Sequence, residues 1–187
     1  MTLVTVDFEA DWGGRRQTYQ GIEEGIPFIL ACLAEAQAKA IFFISTSCLD
    51  ACLPLAQRVK EEGHTIGSHG HKHKRFKNWK EWRLDYLQSM QLLEKNLGIK
   101  RPLLYRAPKF NYIHPEHRYS DPKGHTSLLK HIWTRQPLRE ILYLHPFDLV
   151  KPVSKAPDLF CKVWYSRPTE ARERFRKIVR EMAPSSS

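Results

Sequence analysis

The sequence predicts an α/β protein whose strands run parallel. Three observations carry that reading. Short apolar runs alternate along the chain with stretches of helical spacing. The strand ends carry acidic, imidazole or guanidinium groups, and the carboxyl ends of parallel strands are where chemistry gathers. Finally, 187 residues, 42% of them hydrophobic, suffice for one sizeable core but are short for two, so residues 1–182 are read as one domain followed by a disordered tail at 183–187.

LVTVDF (3–8) is β-rich and forms the first strand. A Gly-containing loop leads to IPFILACLAEAQ (26–37), a helix, and AIFFIS (40–45) is the second strand. LDACLPLAQRVKEEG (49–63) has helical spacing and a glycine stop, and HTIGSH (64–69) is the third strand. Trp79, Trp82, Tyr86, Met90, Leu93 and Leu97 recur at intervals of three and four, which marks an amphipathic helix closed by Gly98. LLYRAP (103–108) reads as a strand entering a proline turn. Residues 111–124 read as loop, EILYLH (140–145) as the last strand, and about 168–182 as a closing helix with Pro168 in its first turn.

Composition excludes several classes. With 11% aromatics, 9 Gly and 12 Pro, the chain is neither disordered nor a fibrous repeat. No apolar run approaches the roughly 18 residues of a membrane span, and acidic residues interrupt the N-terminus before a signal-peptide core is complete. Cys32, Cys48, Cys52 and Cys161 form no CxxC pair and read as small buried apolar groups in a reducing, cytoplasmic setting. The net charge of +10 is compatible with nucleic acid, an anionic glycan, a lipid headgroup or mere solubility. Its basic clusters are 71–80 and 167–180, and the second alternates Arg with Glu as a solvated helix face does.

The residues at strand ends single themselves out. Strand one delivers Asp7 and Glu9, the third His69, the fourth Arg106 and the last His145. In GSHGHKH, His69 and His73 can reach one ion if the segment turns helically after the strand, with Glu9 completing a facial site; an extended segment would pair His69 with His71 instead. Together such residue types can hold an ion, activate its bound water, take up a proton and return one. His64, His114, His117, His125 and His131 read as structural or exposed, and Tyr105 and Trp133 as core or pocket wall.

VDFEADW, GHTIGSHGHKH, RAPKF and YLHPFD, in that order, resemble the motifs of the polysaccharide deacetylase (chitooligosaccharide deacetylase) family, over most of the chain from Thr5 to Leu149. The resemblance implies a distorted, incomplete (β/α) barrel, shortened between the Arg-x-Pro and Leu-His motifs, where only 34 residues separate Phe110 from His145. It implies a metal-dependent hydrolase removing an acyl group from an amino-sugar nitrogen. By position, Asp7 would be the base, Glu9, His69 and His73 the ligands of one divalent ion, Arg106 the residue orienting Asp7, and His145 the acid. The ion is expected to be zinc, with cobalt, nickel and iron as alternatives. Pro108, Phe110 and Asp11 fall to substrate binding, with Asp11 a second candidate ligand because the usual adjacent acidic pair is replaced by an alternating one. Phe110 stands where the family often carries an aromatic hydroxyl. Asp121 and Asp148 are the candidates to support His145.

The expected partner is an N-acylated amino sugar, anionic ones included, with acetyl or formyl as the group removed. A lipid-linked amino-sugar deformylase is a rival within the enzyme class. The alternative from another class is a basic module for nucleic acid or anionic glycan with a vestigial metal site. Aromatics at core spacing favour the enzyme and argue against nucleic acid. A homo-oligomer would cover the sheet edges of a reduced barrel.

Overall fold

Residues 2–15, 18–100, 104–110, 124–151 and 158–182 are described in the computed structural model. Leu3–Phe8 (β1) alternates strictly. Val4, Val6 and Phe8 enter the main apolar core, which leaves Thr5 and Asp7 to the opposite face. After β1 come a single turn at Asp11–Gly14 (α1), a π-helical turn at Gly21–Gly25, and the helix Ile26–Glu35 (α2). Ile41–Ile44 (β2), Leu49–Glu61 (α3), Thr65–Ser68 (β3) and Trp79–Leu97 (α4) follow. Then come His125–Ser127 (β4), Leu128–Thr134 (α5), Ile141–Leu144 (β5), Leu159–Trp164 (α6) and Pro168–Glu181 (α7). The five strands form one sheet in the order β3-β2-β1-β5-β4, with every pairing parallel.

The register aligns the strand ends. Phe8 pairs with Ile44 and Ile44 with Ser68, while Val6 pairs with Leu144. Glu9, His69 and His145 therefore leave neighbouring parts of one sheet edge. β1 lies at the centre, so Asp7 and Glu9 sit in the middle of that edge.

The sheet stays open, as an incomplete (β/α) barrel. The expected strand at 103–108 reduces, within the described residues, to one bridge between Tyr105 and Ser68, flanked by hydrogen bonds from Ser68 N to the Leu104 carbonyl and from Arg106 N to the Ser68 carbonyl. Pro108, which lacks an N–H, starts a 3-10 turn through Phe110 and ends the pairing. No ladder joins Tyr105 to β4 among the described residues. The gap is crossed by side chains instead, since the Phe110 ring meets His125 and Tyr143 edge-on at 5.5 and 5.0 Å.

The segment between Phe110 and His145 also contains β4 and α5, to which the sequence reading assigns no element. On α4 the stripe is buried at Leu93 and Leu97 and half-buried at Trp82, Tyr86 and Met90, while Trp79 is 54% exposed, and the other buried positions are the polar Asp85 and Ser89. Gly98 does close that helix, at φ 65°. α7 opens on Pro168 and buries Ala171, Phe175, Ile178 and Val179, while Arg172 and Arg176 lie over the Phe28 ring at 4.9 and 5.3 Å, so part of the basic cluster covers apolar surface. All four cysteines are buried and unpaired. Among the described residues no helix is long and apolar enough to cross a membrane.

The π-helical turn packs on the chain just after β5. A Cβ on Gly25 would stand 2.3 Å from the Pro146 carbonyl oxygen. The φ of Gly25 is −79°, which any residue adopts, so crowding alone demands glycine there. Gly25→Ala should lower stability by about 1–3 kcal/mol, as overpacking against rigid backbone does. Urea unfolding followed by circular dichroism measures this, and an unchanged midpoint would show that the Pro146 turn yields.

Candidate metal centre and active site

The alternation of β1 aims Thr5, Asp7 and Glu9 at the concave side of the sheet. Arg106, fully buried, fills that side. Its Nη1 donates to Asp7 Oδ1 at 2.5 Å and its Nη2 to Thr5 Oγ1 at 2.8 Å, and its guanidinium lies over the rings of Phe43, Phe110 and Tyr143 at 4.4, 5.6 and 5.8 Å. The planar fork and the aromatic walls hold the cation in place. Gly67 makes room for this cage, because a Cβ there would come within 2.7 Å of the Phe43 ring. Thr5 is the member that the sequence reading overlooked, although its place two residues before Asp7 puts it on the same face.

Glu9, buried, faces two imidazoles. Its Oε2 lies 3.1 Å from His69 Nε2 and also contacts His73 Nε2. Burial alone would raise the Glu9 pKa, but His73, hydrogen bonds from both imidazoles and the charge of His145 outweigh it and hold the carboxyl well below its usual range. One ligand atom from each of Glu9, His69 and His73 falls within 4.8 Å of the others.

The His69 ring is turned by a second partner. Its Nδ1 stands 2.8 Å from the Arg106 carbonyl, which accepts only, so Nδ1 carries a proton and Nε2 is the nitrogen turned to Glu9, as donor when it too is protonated and as lone pair when it is not. Two acceptors 3.1 Å apart need a proton or a cation between them. A divalent ion satisfies Glu9, His69 and His73 together, and the carboxylate and imidazole donor set suits zinc and its neighbours. The His-x-x-x-His alternative is the one realised; His71 turns away and its Nδ1 meets Thr46 Oγ1 at 3.1 Å.

Asp11 does not join this cluster. Its oxygens accept from the backbone amides of Gly21 and Gln20 at 2.9 and 3.1 Å, so its carboxylate ties the loop before α2 rather than reaching toward Glu9. The adjoining turn has Trp12, Gly13 and Gly14 all at positive φ. It presses on the His73 ring, where a Cβ at Gly14 would stand 3.1 Å from Nδ1. Pro108 is buried, and the turn it starts delivers Phe110 to the Arg106 cage.

His145 follows β5 directly, beside β1. Its Nε2 lies 3.6 Å from Glu9 Oε1 and 3.9 Å from Asp7 Oδ2. Its Nδ1 lies 3.5 Å from Asp148 Oδ1, and its backbone amide donates to Asp148 Oδ2 at 2.9 Å. Burial pushes the imidazole pKa down, but Asp148, through its charge and a hydrogen bond, with help from Glu9 and Asp7, lifts it to about 9. Asp148, buried in a 3-10 turn at Pro146–Leu149, is thus the carboxylate beside the imidazole; the other candidate, Asp121, lies outside the described residues, as do His114 and His117. The Phe147 ring stacks on His145 at 4.7 Å.

An open parallel α/β sheet that gathers two acids, two imidazoles, an arginine and a further histidine at its carboxyl edge defines a class of incomplete-barrel proteins with a hydrolytic type of site. The sequence profile of polysaccharide deacetylases matches residues 8–116, and the chain belongs to that family. No curated protein sequence matches it. Among solved structures, peptidoglycan deacetylase PdaC from Bacillus subtilis is 17% identical, with a TM-score of 0.61 over 96% of this chain and 84% of that one. The Bc1960 peptidoglycan N-acetylglucosamine deacetylase, solved with 4-naphthalen-1-yl-N-oxidanyl-benzamide, is 16% identical, with a TM-score of 0.60 over 97% and 82%. BA3943, a CE4 family pseudoenzyme from Bacillus anthracis, is also similar in fold, at 16% identity and a TM-score of 0.54 over 92% and 61%. One fold thus carries both deacetylases and a pseudoenzyme, so the fold alone does not establish activity.

Proposed function

We propose that this protein is a metal-dependent hydrolase that removes an N-acyl group, acetyl or formyl, from an amino sugar of a polysaccharide, oligosaccharide or glycolipid. The observation that carries the proposal is the juxtaposition of Glu9, His69 and His73 with an arginine-held Asp7 on one side and an aspartate-backed His145 on the other. Glu9, His69 and His73 would hold the ion, with zinc the first expectation. A divalent ion so held supplies a water of lowered pKa and polarises the acyl carbonyl.

The chain's own groups account for the proton traffic. Arg106 occupies Asp7 Oδ1 and leaves Oδ2 turned toward His145, placing Asp7 to take a proton from the attacking water. As the new carbon–oxygen bond forms and the carbon–nitrogen bond breaks, the amine must gain a proton before it departs. His145, whose basicity the adjacent Asp148 carboxylate raises, would deliver one from Nε2, which lies on the side of Asp7 and Glu9. Phe147 against one face of the ring keeps it from turning away.

His145→Ala should depress release of acetate from an N-acetylated amino-sugar oligomer far more than hydrolysis of an activated acetyl ester, whose leaving group needs no proton. Asp148→Asn should follow the same pattern with a smaller loss. Equal losses on both substrates would reduce His145 to a positioning or folding role. If no acyl group is released from any amino-sugar substrate by protein carrying one ion per chain, the hydrolase reading falls and the binding-module alternative takes its place.

A further inference from the structure

The two imidazoles that face Glu9 are oriented by different means. His69 is fixed through its ring, by the Arg106 carbonyl at Nδ1. His73 Nδ1 has no hydrogen-bond partner among the described residues, so apart from packing against the Gly14 turn its aim depends on the path of the main chain between the two. That path is set by a residue of another element. Asp85, on α4, is buried, and its Oδ2 accepts from the His71 amide at 2.8 Å while its Oδ1 accepts from the Lys72 amide at 2.9 Å. Both oxygens thus grip consecutive amides midway between His69 and His73.

The surroundings are built for that grip. Gly70 has a φ of +75°, and a Cβ there would stand 2.7 Å from Asp85 Oδ2. One turn along α4, Ser89 Oγ lies 2.8 Å from Ser68 Oγ, which in turn accepts from the Gly70 amide at 3.1 Å. The Thr46 amide donates to the Gly70 carbonyl at 3.0 Å. The chain then enters His73 at φ 42°, a left-handed conformation that a non-glycine residue keeps only when its neighbours enforce it. A buried carboxylate on the inward face of a helix is costly unless its hydrogen bonds are satisfied, and charge-assisted bonds to backbone amides are among the stronger ones.

We infer that Asp85 is a positioning residue for the metal centre, which acts on the ion through the main chain of the His69–His73 loop and without touching the ion. The inference rests on the reading of Glu9, His69 and His73 as ligands. In an Asp85→Asn variant the amide group can accept only one of the two backbone N–H bonds and turns its own N–H toward the other. His73 then loses its fixed approach to Glu9.

The test titrates Co²⁺ into full-length apoprotein and follows both affinity and the visible absorption bands of the bound ion. Asp85→Asn should bind about 10- to 100-fold more weakly, the scale on which outer partners of metal ligands act, with an altered band pattern. Leu93→Ala, two turns along the same buried helix face, serves as the control: it should lower the melting temperature but bind Co²⁺ as the wild type does. If Asp85→Asn does not fold, Gly70→Ala, whose methyl would displace the Asp85 carboxylate, should give the same weakened binding. Wild-type affinity and spectrum in the folded Asp85→Asn variant would overturn the inference, as would an equal loss in Leu93→Ala, which would make the effect one of helix stability. A wild-type protein that binds no Co²⁺ would instead bring down the metal-site reading itself.

Discussion

In an Asp7→Asn variant, turnover of an N-acetylated amino sugar falls by about 10²- to 10⁴-fold, the usual contribution of a positioned general base, while the ion remains bound at one per chain. Asparagine keeps an oxygen for Arg106 Nη1 but cannot take a proton from water. It also leaves the buried guanidinium without a counter-charge, and breaking a buried pair in this way typically costs about 3–5 kcal/mol. The variant should therefore melt earlier, although the aromatic cage and the Thr5 hydroxyl still hold Arg106. Activity measured well below the melting transition, with metal content by elemental analysis, separates the two effects. Retained activity with lost metal would exchange the roles of Asp7 and Glu9.

Removing a ligand should have the opposite signature. His69→Ala and His73→Ala each leave two donors, too few to retain a stoichiometric ion, and affinity should fall by more than the roughly 100-fold that loss of an outer partner costs. Glu9→Gln should act likewise, since it removes the only carboxylate that faces both imidazoles among the described residues. Elemental analysis after dialysis decides the matter. Unchanged metal content in both histidine variants would mean that the ion, if any, is held elsewhere.

The elements that the sequence exposed are those in which one physical demand dominates. β2 and β5 are apolar runs of four residues, because a parallel strand is covered on both faces, β1 alternates apolar with polar residues, and β3, with one aliphatic residue, is marked by the glycine stop before it. β4 escaped notice for the same reason in reverse: His125–Ser127 is three residues without an aliphatic side chain, and only its pairing with β5 makes it a strand. The α4 stripe holds at Leu93 and Leu97, which join the core, but spacing gives no sign that two further inward positions go to Asp85 and Ser89, which serve the histidine loop rather than the apolar core. The polar members of the site were legible as types at strand ends. What spacing could not decide was which acid faces the imidazoles, since Glu9 and Asp11 differ only in what the next turn does with them. The loop amides of Gln20 and Gly21, distant from the motif, claim Asp11 and leave Glu9 to the histidines.

The central position of β1 also sets the order in which the site can be assembled. β2 pairs with β1 and β3 with β2, all close in the chain, so Glu9, His69 and His73 can meet before β5 is in place. The other edge of β1 waits for β5, as the hydrogen bond from Thr5 to the Leu142 carbonyl, across 137 residues of chain, makes plain. Such long-range parallel pairing closes slowly, because the intervening loop entropy must be overcome first. During that interval the strand LVTVDF has an open edge able to accept a foreign strand, and charges pointing inward from an edge are one of the means by which proteins discourage such pairing. Asp7, within that strand, is a charge of that kind, so the residue proposed to activate water would also discourage such pairing until β5 arrives.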